Sequence, residues 1–490
     1  MATPVPERVR GIRPDERPSL RVRPSRSILP SRSLLAVLLL CAALAAGWPA
    51  AATADPASAP SGADASEQFL QEPVFGGRAY IREAGRQHSF SVVLIHGLGE
   101  DASHVWDGLI PVLAARYHVV AFDLPGFGRS SKPDALYSPA AEAAFVQWVV
   151  DRTVSGRFAV VGHSLGGAVA LHFSAGQPPG LDRLILVDVA GVLHRLALTR
   201  DLLTPSLTDW MPWAPAAPLQ ALENLVRSAV EKMPSVSVDL GSLLKTPYLR
   251  QKILGGDPTK IAALALAEDD MSAILGRVRA PTLVLWGADD KVASARTATL
   301  LATTLSNARL LLLPGAGHEP MREQPRRFNE AVLDWLRADT TPKAVPEGLP
   351  PSGSRVGTCD GQQGVAFTGD YLRIEVKGCT DVRISEASAQ RIEITGSTVQ
   401  MDNCRVRGDE TGMLVRNAFV EATGVTIEAA DAMVTSDSRL DLAGVELIGQ
   451  RNAIRAEKPS TILFSVSRAT SPHTSGYLHG VREVSAEHPL

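Results

Sequence analysis

Six residues, Gly162-His163-Ser164-Leu165-Gly166-Gly167, carry the strongest chemical signal in the chain. A β-type run, Arg157-Phe-Ala-Val-Val161, leads into them, and a helical run, Ala168-Val-Ala-Leu-His-Phe173, leads out. The pattern G-x-S-x-G between a strand and a helix describes a sharp turn with an exposed serine at its tip, a nucleophile elbow. Such a turn forces unusual φ/ψ on the serine and leaves no room for side chains two positions either side, which is the reason for Gly162 and Gly166. The N-terminus of the following helix then faces the place where negative charge develops.

A serine hydroxyl is a weak nucleophile until a base, an orienting acid and oxyanion donors surround it. His318 in Gly315-Ala-Gly-His-Glu-Pro320 is the candidate base, on a loop after the last strand-like run of this half. His163, His96 and His172 are weaker candidates: His163 points elsewhere on the turn, His96 fixes a strand end, and His172 is helical. For the acid, Trp286-Gly287-Ala288-Asp289-Asp290 follows the penultimate run. Adjacent aspartates cannot point the same way, so Asp290 is the expected acid, Asp289 the turn-stabilising neighbour, and Asp188 after the preceding strand the alternative. Two backbone N–H groups are expected to form the oxyanion hole, from Leu165 after the serine and from Leu98 in His96-Gly97-Leu98-Gly99. The chain order Ser, Asp, His is that of the hydrolase arrangement.

The elements that must position these residues alternate strand and helix. Apolar runs at Ser91–Ile95, His118–Phe122, Leu184–Asp188, Pro281–Trp286 and Ala308–Leu313 read as buried parallel strands, with Ala79–Ala84 as an edge strand. Helical patterns fall near 104–115, 139–151, 293–305 and 325–337. This alternation predicts a doubly wound, mostly parallel α/β sheet. Between 191 and 276 the strands stop, and Trp210, Met211, Trp213 and several prolines punctuate short helical patterns, as in a helical and partly apolar insertion.

Residues 71–337 resemble the α/β-hydrolase family. The motifs that carry the resemblance are HGLG (96–99), DLPGFGRSSKP (123–133), GHSLGG (162–167), PTLVLWGADDKV (281–292) and GAGHEPMREQP (315–325). They occur in order over a little more than half the chain. The resemblance implies the α/β-hydrolase fold with a cap at 191–276 and acyl-transfer chemistry. It leaves the substrate open among esterases, lipases, amidases, carbon–carbon bond hydrolases and perhydrolase-type enzymes. Serine at 164 separates the chain from members resembling epoxide hydrolases and haloalkane dehalogenases, which use aspartate there. HGLG also differs from the HGGG run of one lipase branch. The sequence shows no metal-ligand cluster and no nucleotide-binding glycine loop, so no cofactor is expected.

The flanks say more about organisation. At 490 residues two domains are expected. Residues 1–54 carry eight arginines against three acids, so the net charge of −3 conceals an acidic remainder that argues against nucleic acid as a partner. The apolar stretch Leu34–Trp48, followed by Ala52-Thr53-Ala54, fits a signal peptide over 1–54 better than a full bilayer span. The expectation is export to the periplasm or beyond, with an uncleaved inner-membrane anchor over 34–50 as the alternative and membrane contact only in that case. Leu40 before Cys41 argues against lipidation. Residues 55–70 and 338–354 read as linkers. From 355 to 470 short β-type runs recur about every 20 residues (Ile374, Ile394, Val415, Val434, Ile454), with corners at Gly378, Gly396 and Asn417. This predicts an all-β, right-handed parallel β-helix-like domain, against an antiparallel sandwich as the alternative, with 471–490 as a tail. Cys359 and Cys379, 20 apart, would lie on adjacent coils and within disulfide reach, leaving Cys404 over.

The functional expectation is an exported serine hydrolase, a carboxylic ester hydrolase acting on a small-molecule or lipid-like ester. The competing reading is an envelope- or glycan-binding protein organised by the β-helix, with an accessory hydrolase domain. A catalytic β-helix is disfavoured, because its short coils carry no clustered carboxylates.

Overall fold

The computed structural model describes residues 66–194, 244–338 and 354–490. The expected leader over 1–54, most of both linkers and the central part of the cap lie outside the described residues. The first half is an eight-stranded sheet in the order β1-β2-β4-β3-β5-β6-β7-β8. β1 (Ser66–Glu72) and β2 (Gly77–Ala84) form an antiparallel hairpin. β3 (Ser91–Ile95), β4 (His118–Phe122), β5 (Phe158–His163), β6 (Leu181–Val187), β7 (Thr282–Gly287) and β8 (Ala308–Leu313) run parallel. Every residue of β3, β4 and β5 is buried, as expected of parallel strands covered on both faces.

The covering helices are α1 (Ile110–Ala114), α2 (Pro139–Thr153), α3 (Leu165–Ala175), α4 (Pro247–Leu254), α5 (Pro258–Ala267), α6 (Ser272–Leu275), α7 (Ala295–Thr304), α8 (Pro320–Glu323) and α9 (Pro325–Arg337). α9 turns Phe328, Val332 and Trp335 into a core shared with Trp106 and the central strands. α2 begins cleanly because Ser138 caps it, accepting from the Ala141 N–H, with Pro139 in the first turn. The strand order reverses beside β3, so loops after β3 and β5 open at a switch point of the sheet, where α/β proteins place their ligands.

Two boundaries need correction. Residues 66–70, read as linker, belong to β1, so β2 is not the sheet edge. Residues 475–484, read as tail, form a strand antiparallel to Ser460–Thr470. Both segments are polar and lack a continuous apolar run, which hid them in the sequence.

The second half is a parallel β-helix-like domain, whose strands stack coil on coil and so exclude the antiparallel sandwich. One inward column runs Val376, Ile394, Val415, Thr435, Ala456, and its neighbour Ile374, Ile392, Met413, Met433, Ile454. The coils are therefore 18, 21, 20 and 21 residues long. Ile374 stacks on Ile392 and not on Ile394, and Val434 stands one residue off the column. Side chains repeat every two residues along a strand, so a short first coil still presents an apolar residue at a spacing of 20. The corners Gly378, Gly396, Asn417 and Asp437 all have positive φ, and the N–H of each of the first three bonds the next coil's backbone. Inside the same corner, Ser397 and Ser438 accept from the N–H of Cys379 and Ala418 on the previous coil, which satisfies buried donors. Cys359 and Cys379 form a disulfide, and Cys404 is free and buried.

The two halves pack together through α7. Arg296, in its first turn, is buried and donates to Thr423 Oγ1 at 2.8 Å and to Asp441 Oδ1 at 3.0 Å. The corner at Gly424 touches the other end of α7, where any Cβ would lie 2.5 Å from Thr303 Oγ1, so only glycine allows this approach. The chain entering the cap is held as well, since the His194 N–H donates to Ser465 Oγ at 2.9 Å.

Removing Asp441 takes away the nearer carboxylate of Arg296, with Glu421 Oε2 still at 3.6 Å, and the lost charged hydrogen bond should cost about 1.5–3 kcal/mol. All seven tryptophans precede residue 340. Asp441→Ala, in the β-domain, is therefore expected to lower the urea midpoint of the unfolding transition followed by tryptophan fluorescence. An unshifted midpoint would mean that the halves unfold independently.

Candidate active site

Ser164 stands between β5 and α3 with φ 52° and ψ −118°, a conformation that few non-glycine residues adopt. Backbone contacts hold it there: the Ser164 N–H donates to Val187 O at 3.0 Å, and Ser164 O accepts from Gly167 at 3.0 Å and Ala190 at 3.4 Å. A Cβ on Gly162 would sit 2.4 Å from Gly166 O, and one on Gly166 would sit 2.4 Å from the carbonyls of Ile95 and His96. The two glycines therefore let β3, β5 and α3 meet at backbone distance. The serine side chain does not cap its own helix, which leaves Oγ free for another partner.

That partner is His318. Its Nε2 lies 3.1 Å from Ser164 Oγ, and its Nδ1 lies 2.8 Å from Asp290 Oδ2. Asp290 Oδ1 accepts the N–H groups of Val292 at 2.7 Å and Ala293 at 3.0 Å. Asp290 thus performs the turn-stabilising role expected of Asp289, whose side chain is exposed. Burial pushes the Asp290 carboxyl up, but the hydrogen bond and charge of His318 and the Ala293 N–H outweigh it, so Asp290 sits below the usual aspartate value.

The expected oxyanion donors are at the ends of neighbouring strands. Leu165 opens α3, where first-turn N–H groups have no helical acceptor. Leu98 follows β3, and its N–H meets no acceptor among the described residues. His96 shapes that loop: Nδ1–H donates to Gly97 O at 2.7 Å, and Nε2 accepts the Leu124 N–H at 2.9 Å. Burial lowers the His96 pKa and favours this neutral form. Asp123 then orders the glycine-rich loop, accepting from Ser103 and Arg129 N–H at 2.9 and 2.7 Å.

Two residues do more than their sequence positions suggested. His163, beside the nucleophile, donates from Nε2 to the backbone carbonyl of His318 at 2.8 Å. Burial, then repulsion from His318, lowers its pKa to about 3, so it stays neutral and serves as a fixed donor. Asp188, the alternative acid, is fully buried with φ 45° and accepts the Gly287 N–H at 2.9 Å; it is not the acid in contact with His318 Nδ1. His172 pairs with Asp269 at 2.6 Å, away from the serine. An oxygen from each of Asp188 and Asp290 and a nitrogen of His318 lie within 4.8 Å of one another, a grouping that could hold a cation. The hydrogen bond between His318 and Asp290 already uses two of the three, which suits proton movement better than ligation.

A model described as the alpha/beta hydrolase fold matches residues 91–325. An uncharacterized protein of Mycobacterium tuberculosis is 32% identical over 55% of this chain and 81% of its own length. A pimeloyl-[acyl-carrier protein] methyl ester esterase of Nitrosomonas europaea is 32% identical over 48% of this chain and 92% of its own. The chain belongs to the alpha/beta hydrolase family. This hydrolase is also 28% identical, over 54% of its length and 89% of the relative's, to a 2-hydroxy-6-oxo-6-(2'-aminophenyl)hexa-2,4-dienoic acid hydrolase of Metapseudomonas resinovorans. The β-helix-like half of the hydrolase lies outside the residues the family model matches.

His163→Phe keeps an aromatic ring, slightly larger than the imidazole, and removes the donor to the His318 carbonyl. Leaving that part-buried acceptor unpaired should cost about 1–3 kcal/mol in denaturant unfolding. A variant as stable as the parent would show that this contact does not hold the His318 loop.

Proposed function

We propose that this hydrolase is a carboxylic ester hydrolase that works by two-step acyl transfer on Ser164. The observation that carries the reading is the continuous contact from Ser164 Oγ through both nitrogens of His318 to Asp290, built on a strained serine. His318 Nε2 takes the serine proton as Oγ attacks the ester carbonyl. Asp290 holds the ring and balances the imidazolium that forms. The N–H groups of Leu98 and Leu165 receive the oxyanion, each such donor contributing roughly 3 kcal/mol of transition-state stabilisation. His318 then protonates the departing alcohol, and a water, deprotonated by the same nitrogen, releases the acid. An ester is favoured because the Nitrosomonas relative bears the name of an ester hydrolase. Trp210, Met211 and Trp213 in the cap sequence, outside the described residues, suit an apolar acyl or aromatic group.

Carbon–carbon bond hydrolysis is a second reading, favoured by the name of the Metapseudomonas relative. The competing picture, a glycan- or envelope-binding protein with an accessory hydrolase domain, predicts a serine that does not react. Export is part of the proposal: Leu34–Trp48 with its Ala-x-Ala sequence supports it, and so does the Cys359–Cys379 disulfide, since such bonds persist in oxidising compartments.

Ser164→Ala should lower kcat/KM on short aryl esters by on the order of 10⁴ or more and abolish labelling by a fluorophosphonate. Full activity in that variant would sink the mechanism. An unlabelled parent protein would favour the binding reading, and activity confined to vinylogous 1,5-diketones would favour carbon–carbon cleavage. Fractionation of producing cells should find the chain outside the cytoplasm; a cytoplasmic, reduced protein would remove the export proposal.

A further inference from the structure

Asp188 follows β6 and Asp290 follows β7, and because those strands are neighbours the two aspartates meet beside His318. Their surroundings differ. Asp290 accepts from three donors, the Val292 and Ala293 N–H groups and His318 Nδ1–H. Asp188 accepts from one, the Gly287 N–H, through Oδ1. Its other oxygen, Oδ2, is buried and meets no donor among the described residues. A second carboxyl adjoins it, since an oxygen of each aspartate and a nitrogen of His318 lie within 4.8 Å of one another.

Two carboxylates cannot both ionise when they share a dry site. The charge settles where the donors are, on Asp290, and a proton must stay with the carboxyl that has none to spare. As an anion, Asp188 Oδ2 would be a buried charge aimed at another charge. As an acid, it becomes a donor to the one acceptor it faces. We propose that Asp188 is a protonated positioning residue that donates Oδ2–H to the Asp290 carboxylate, holding it toward His318 and keeping a second negative charge out of the relay. Its effect on rate rests on the acyl-transfer reading above, whereas its protonation does not. Burial, then the adjacent Asp290 charge, raises the Asp188 pKa to about 10. The Gly287 N–H opposes the shift, and Glu323 on α8 adds to it. The titratable groups around the pair are thus Asp290, His318 and Glu323, with neutral His163 behind His318.

The sign of the pH dependence follows. Above the ordinary aspartate value of about 3.9 the unfolded chain has lost this proton, and the folded chain keeps it up to about 10. Folding therefore takes up a proton in that window, and each rise in pH costs the wild type stability. Asp188→Asn has no such proton to lose, but its side chain can make the same contacts, with Oδ1 accepting from Gly287 and Nδ2–H donating to Asp290. Urea unfolding of both proteins is to be followed between about pH 6 and pH 8. The ratio of their unfolding constants, wild type over Asn variant, is expected to grow by up to about tenfold per pH unit. On aryl esters Asp188→Asn should stay within about threefold of wild-type kcat/KM, whereas Asp188→Ala, which cannot donate, should lose about tenfold or more in kcat.

Parallel pH–stability curves would overturn the proposal. So would an Asn variant as inactive as Asp290→Asn, because Asp188 would then be acting as an anion. The stability arm needs no catalysis. If Ser164→Ala kept full activity the acyl-transfer reading would fall, yet the two unfolding curves would still diverge.

Discussion

A single backbone conformation, that of Ser164, sets the terms for everything around it. A non-glycine residue at φ 52° relaxes unless its neighbours hold it. Here Val187 on the adjacent strand takes its N–H, while Gly167 and Ala190 share its carbonyl. Those clamps work only because β3, β5 and α3 approach to backbone distance at Gly162 and Gly166. The same approach brings the loop after β3 beside the start of α3, so one steric solution both exposes the serine and gathers the N–H groups near it.

Around this fixed point lies a graded set of polar groups in which burial decides charge. His96 and His163 are buried and neutral, each committed to backbone partners on loops that carry other site residues. Asp290 is buried but charged, since three donors compensate it. The neutral groups act as rigid struts, and ionisation is concentrated in one place. A site built this way keeps its geometry over a broad pH range, because the groups that shape it are not the ones that titrate.

Ser164, His318 and Asp290 were legible in the chain because each lies on a short motif at the end of a strongly apolar strand. The partner of His163 was not: it is a backbone carbonyl 155 residues away, which leaves no trace in side-chain type. Asp188 could be read as an acid after a strand, but its environment depends on β6 and β7 being neighbours in register. The turn role assigned to Asp289 went to Asp290 because one carboxylate can serve a turn with Oδ1 and a histidine with Oδ2. In the β-helix the first coil is 18 residues long, a departure from 20 that the sequence hides because residues two apart share a face. Burial of Arg296 had no signature, as arginine at the start of a helix is ordinarily solvated.

The antiparallel strand Ser475–Val484 changes what one face of the coil stack offers to other molecules. A stack of parallel coils ends in a row of unpaired backbone groups, and an open row is a template on which another molecule can add. Ser475–Val484 runs against Ser460–Thr470, and the register breaks between Phe464 and Ser467, where Val466 adopts positive φ. Tyr477, Val481, Arg482 and Glu483 are exposed along Ser475–Val484, a mixed surface in place of a continued parallel template. At the opposite end of the described stack, Val356–Asp360 pairs with Arg373–Lys377, and the disulfide at Cys359 ties it to Cys379. One end of the stack is thus turned back on itself and the other is stapled, two features that disfavour end-to-end addition of strands.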